Sequence, residues 1–97
     1  MKLVWSEEAT RDLEQIHAYV ARDAPRRADL LVEELLEAAE RLKTLPKSGR
    51  VVPEYAEPAI REVIHGSYRI VYEIVDDAVE ILTVLHGAKI LSDDLLS

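Results

Sequence analysis

With 97 residues, 19 acidic against 12 basic side chains and 48% hydrophobic residues, the chain has room for one small acidic domain over residues 1–97 with a single core. The absence of cysteine excludes a disulfide framework and a thiolate metal site. No apolar run approaches the roughly 20 residues that cross a bilayer, the opening MKLVWSEEATRDL is unlike a secretion signal, and a cytoplasmic location is expected. A net charge of −7 argues against bulk non-specific affinity for nucleic acid and leaves room only for a local basic site.

Met1 to Trp5 is a short apolar run that reads as a strand. Ser6 is a helix cap, and Glu7 and Glu8 suit the positive end of the helix dipole. Ala9, Leu13, Ile16 and Val20 then form one helical stripe, which predicts a helix over Ser6–Arg22. Asp23-Ala24-Pro25 ends it, and Pro25 is well placed to begin a second helix over Pro25–Thr44. There Ala28, Leu31, Leu35, Ala38, Leu42 and Leu45 alternate spacings of three and four, the seam an antiparallel helix pair needs. Pro46 closes this segment. Lys47–Ala59 reads as a long loop, with Ser48, Gly49, Pro53 and Pro58, that holds a short extended piece at Arg50-Val51-Val52.

The hydrophobic period then changes to two. Ile60–Ile64, Tyr68–Val75 and Val79–Leu85 are predicted strands, joined by turns at His65-Gly66-Ser67 and Asp76-Asp77-Ala78. The fold class is therefore α+β: an N-terminal strand and a two-helix hairpin packed on an antiparallel sheet. Strict alternation puts Tyr68, Ile70, Tyr72 and Ile74 on one face with Val79, Ile81, Thr83 and Leu85. Arg69, Val71, Leu82, Val84 and His86 fall on the other. The predicted hairpin–sheet core is Leu13, Ile16, Leu31, Leu35, Leu42, Ile70, Tyr72, Ile81 and Thr83. Both sheet faces are largely apolar, so the second must be covered by the tail from Ala88 to Ser97 or by a partner. That tail reads as one helical turn or a free end.

The half from Arg50 onward holds four cations, Arg50, Arg61, Arg69 and Lys89, against nine acids. Any phosphate chemistry on the sheet would have to use them. No cluster of His and carboxylates has metal-ligand spacing, and no Gly-rich phosphate loop is present; neither a metal nor a cofactor is expected.

Several segments together resemble the ParE/RelE toxin superfamily over nearly the whole chain. They are Ser6-Glu7-Glu8-Ala9 with Leu13 and Ile16, Leu42-Lys43-Thr44-Leu45-Pro46 with Gly49-Arg50, and Ile60-Arg61-Glu62. With them go Tyr68-Arg69-Ile70-Val71-Tyr72 and Ile81-Leu82-Thr83-Val84-Leu85-His86. The resemblance implies a toxin of a type II toxin–antitoxin pair, with the C-terminal segment of an antitoxin wrapped around it. RelE-like members cut messenger RNA on the ribosome; ParE-like members poison DNA gyrase. For a nuclease the resemblance points to Arg61, Arg69, His86 and Lys89, since 2′-hydroxyl attack needs a base, an acid and cations for the transition state. Glu62 stands near a position where those nucleases carry Lys, and Leu95 and Leu96 stand where a Tyr or His would act. No catalytic residue is therefore favoured, and the ParE-like reading is preferred. In that reading Arg50, Arg61, Arg69, Val71, Leu82, Val84, His86 and Lys89 form a surface for a protein partner. The partners are a cognate antitoxin and a target such as DNA gyrase; ribosome and mRNA are the alternative. A non-toxic homologue kept as a binding module is the second alternative.

Overall fold

The computed structural model describes residues 1–89 and 91. In chain order the elements are β1 (Lys2–Trp5), α1 (Glu7–Ala21), α2 (Pro25–Glu40), a short 3₁₀ turn (Arg41–Lys43), β2 (Arg50–Val51), β3 (Ile60–His65), β4 (Tyr68–Val75) and β5 (Ala78–His86). No helix among the described residues is long and apolar enough to cross a membrane. The predicted tail falls largely on residues 90 and 92–97, outside the described residues.

The strands form one mixed sheet in the order β1-β5-β4-β3-β2. β3, β4 and β5 make the expected antiparallel meander, and β2 adds antiparallel to β3 with Arg50 opposite Glu62. β1 runs parallel to β5, Lys2 opposite Ala78 and Trp5 opposite Ile81. The first strand thus joins the sheet next to the last.

Ser6 caps α1, its hydroxyl accepting from the Ala9 N–H at 3.0 Å. Pro25 opens α2 at a position where its missing N–H costs nothing. The α-helix ends at Glu40 rather than at Thr44, and the chain tightens into the 3₁₀ turn. Pro46, next but one after Thr44, has no N–H to extend the ladder. Leu45, the last residue of the predicted stripe, consequently points outward and is 59% exposed.

The hairpin covers one sheet face. Ala9, Leu35, Ala38, Ala39 and Leu42 pack on Ile70, Tyr72, Val79, Ile81 and Val84, with Leu13, Ile16 and Leu31 at the margin. A second, smaller cluster of Val52, Ile60, Val71 and Leu82 fills the other face, covered by Tyr55, Leu85 and Leu91. The loop after β2, together with Leu91, is therefore what covers the second apolar face.

One irregularity decides which residues face where. Val71 pairs with Thr83, but Tyr72 pairs with Ile81, so Leu82 is an extra residue in β5. Beyond it the alternation inverts. Val84 joins the hairpin-side core, Leu85 joins the outer cluster, and His86 stands beside Tyr68 on the hairpin side. Three expectations are corrected here: Val84 and His86 do not lie on the face with Arg69, Val71 and Leu82, and Leu85 does not lie on the face with Ile70 and Tyr72. The bulge is held by α1. The Ser6 hydroxyl donates to the Leu82 carbonyl at 3.0 Å. Asp12 Oδ2 accepts from the Val84 N–H at 3.0 Å and from the Thr83 hydroxyl at 2.5 Å.

Candidate functional site

Two constellations bring together the residues singled out from the sequence. The first lies on the outer face, around Arg69. This side chain is 7% exposed and engages three separate segments. Its Nε donates to Glu62 Oε1 at 2.5 Å. Nη1 and Nη2 donate to the two carboxylate oxygens of Glu54, both at 2.9 Å, in a bidentate fork. Nη1 also reaches the Lys89 carbonyl at 3.3 Å. Glu62 sits diagonally across the β3–β4 pair, two residues from direct register with Arg69. Its carboxylate is fully buried, and its other oxygen accepts from Arg50 Nε at 2.6 Å.

The electrostatics follow from this fork. The Arg69 guanidinium pulls the Glu54 carboxyl down to about 2, well below its ordinary range, and Glu54 in turn holds Arg69 even more firmly protonated. Arg61 is engaged elsewhere: Nε donates to the Pro58 carbonyl at 3.1 Å and Nη1 to the Gly49 carbonyl at 3.0 Å. Arg61 thus braces the loop after β2, while Arg50 remains 62% exposed.

The second constellation is a cleft of about 700 Å³ between α1 and the end of β5. Its walls include Asp12, Ile16, Tyr19, Tyr68, His86 and Lys89. The Tyr68 and His86 rings meet edge to face at 5.9 Å, and His86 Nδ1 accepts from the Ala88 N–H at 3.2 Å. His86 and Lys89 share this cleft, whereas Arg69 lies on the opposite face of the sheet, beside the outer cluster. The eight residues expected to share one surface are thus divided. Val71 and Leu82 are buried in the outer cluster and Val84 in the hairpin-side core; Arg50 and Lys89 remain open to a partner.

Glu54 and Asp12 are central to these sites and were not singled out from the sequence. Glu54 lies in a loop without period. Asp12 sits next to Leu13 on α1, and only the bulge in β5 gives it a partner. Among the described residues no group of three His or carboxylate side chains is placed to hold a metal ion.

Comparison with known proteins gives the same picture. Residues 3–91 match the model of the ParE toxin of type II toxin–antitoxin systems, parDE. No curated protein sequence matches. Among solved structures, the chain is similar to one of the chromosomal ParDE toxin–antitoxin system of P. aeruginosa. The TM-score is 0.77 and the identity 20%, over 89% of this chain and 95% of that one. It is also similar to one of the RelBE2 toxin–antitoxin complex of Mycobacterium tuberculosis, with TM-score 0.58 and identity 25%, over 88% of this chain and 95% of that one. With a match that spans both helices and every strand of the sheet, the chain belongs to the ParE toxin family of type II toxin–antitoxin systems.

Proposed function

We propose that this toxin acts by protein–protein contact on a target such as DNA gyrase, and that a cognate antitoxin neutralises it. The observation that carries this reading is the closure of Arg69. Four of its five N–H bonds go to Glu54, Glu62 and the Lys89 carbonyl. A phosphate arriving there would have to displace an internal bidentate carboxylate. His86, the available base, stands on the other face of the sheet. An in-line attack needs base and cation around a single phosphate, and these two residues do not converge on one.

Family membership supports an antitoxin partner, as do two similar structures drawn from toxin–antitoxin systems. Arg50 and Lys89 are the cations of the set left open to a partner's carboxylates. The test is to induce the chain alone and follow DNA supercoiling and translation together, then to add purified chain to translating ribosomes. We expect supercoiling to fail first, rescue by the co-expressed antitoxin, and intact mRNA. Ribosome-dependent cleavage of mRNA by the purified chain would overturn the reading. A RelE-like nuclease is the second reading, favoured by the cleft that unites Tyr68, His86 and Lys89. Unimpaired growth on induction would point instead to a binding module.

A further inference from the structure

The tip of the helical hairpin carries a concentration of positive charge that neither site uses. Arg22 caps the C-terminus of α1, and Arg26 and Arg27 lie in the first turn of α2. All three are exposed. Their side chains enter no ion pair or hydrogen bond among the described residues. Asp23 and Asp29 offset them in part, and Asp29 is engaged by His17, so this short stretch stays basic in a chain of net charge −7. The folded state gains little from two of them: Arg26 and Arg27 oppose the α2 dipole, and α2 has neither an acidic residue in its first turn nor a side-chain cap.

Two exposed apolar-bodied side chains border the arginines. Tyr19, 71% exposed and also at the edge of the cleft beside β5, precedes Arg22 by three residues on α1; Leu30, 49% exposed, follows Arg26 by four on α2. At these spacings each lies beside its arginine on the helix surface. Arginine and tyrosine are enriched at protein-binding surfaces, and Leu30 adds exposed apolar area beside them.

We infer that the hairpin tip is a second docking surface, and that its partner is a protein segment presenting clustered carboxylates with an apolar side chain among them. Charge geometry favours a protein over nucleic acid. An extended polyanion that reached the tip would also run its phosphates past the remainder of a chain whose net charge is −7. A compact acidic patch meets the arginines alone. This surface lies on the helical layer, away from Arg69 and its carboxylates, and does not depend on which target the toxin poisons.

The test is an NMR titration of the full chain with a synthetic peptide of about ten residues, mostly glutamate with two leucines, at low salt. The expected result is amide shifts centred on residues 22–30, with none at His86 or Lys89. Affinity should fall about tenfold or more in the triple variant Arg22→Gln, Arg26→Gln, Arg27→Gln, and severalfold as salt is raised from about 50 to 300 mM. Leu30→Ser should weaken it about threefold without changing the salt response. Shifts centred on Arg50 or Lys89, or an affinity unchanged in the triple variant, would overturn the inference. So would tighter binding of a single-stranded oligonucleotide of equal charge, which would mark a nucleic-acid site.

Discussion

Asp12 and Val84 are separated by most of the chain, yet the Asp12 carboxylate accepts the Val84 backbone N–H at 3.0 Å. This bond fixes the point where β5 changes face, because it satisfies a donor that the bulge draws toward α1. Removing the acceptor leaves a part-buried N–H and the Thr83 hydroxyl without a partner. Asp12→Ala should therefore cost about 1–3 kcal/mol in denaturant unfolding. Asp12→Asn, which keeps an acceptor oxygen, should cost less.

The hairpin register gives a paired prediction. Leu35 is fully buried against the sheet, while its neighbour Leu36 is 43% exposed. Leu35→Ala should cost about 2–5 kcal/mol; Leu36→Ala should cost less than about 1 kcal/mol. Equal losses would mean that the stripe on α2 is misassigned.

Gly49 is required by close approach. A β-carbon there would meet the Tyr72 hydroxyl at 2.5 Å and the Glu62 carbonyl at 2.6 Å. The same hydroxyl accepts from the Gly49 N–H at 3.0 Å and donates to the Pro46 carbonyl at 2.7 Å. Burial pushes the Tyr72 phenol above its ordinary range, which keeps it a donor. Gly49→Ala should destabilise by about 1–3 kcal/mol. Tyr72→Phe should not rescue it, because the backbone clash with Glu62 remains.

The Arg69 network predicts an acid response. Glu54 titrates at about 2 in the fold against 4.5 ordinarily, so the folded state binds fewer protons here than the unfolded chain. Its contribution to stability is complete above pH 4.5 and is lost as pH falls toward 2. Thermal unfolding of Glu54→Gln should show a shallower decline across that window than the parent chain. Arg69→Ala should be harsher at neutral pH, about 3–5 kcal/mol, because it strips a partner from the buried Glu62 carboxylate.

Much of the fold was legible in the sequence. The stripes at Ala9–Leu13–Ile16 and Ala28–Leu31–Leu35 give the hairpin, and the switch to period two gives the meander. The bulge was not, for a physical reason. Ile81-Leu82-Thr83-Val84-Leu85 contains no charged residue to mark a face, so a one-residue slip leaves no trace in the pattern. The placement of Val84 and His86 failed at that point. The pairing of Arg69 with Glu62 follows from strand register, whereas Glu54 enters from a loop whose path depends on Arg61 holding the Pro58 and Gly49 carbonyls. Sites assembled by loops and backbone irregularities carry little periodic signal.

The parallel pairing of β1 with β5 also bears on how the molecule comes into being. Lys2 through Trp5 find their hydrogen-bonding partners only at Ala78 through Ile81, and Ser6, which starts α1, reaches across to Leu82. During synthesis the first strand must therefore wait, unpaired, until β5 has been made. Contacts so distant in sequence slow folding. A nascent or prematurely terminated chain that lacks β5 has neither a neighbour for β1 nor a floor for α1. A chain truncated before Ala78 should therefore leave β1 unpaired and α1 uncovered.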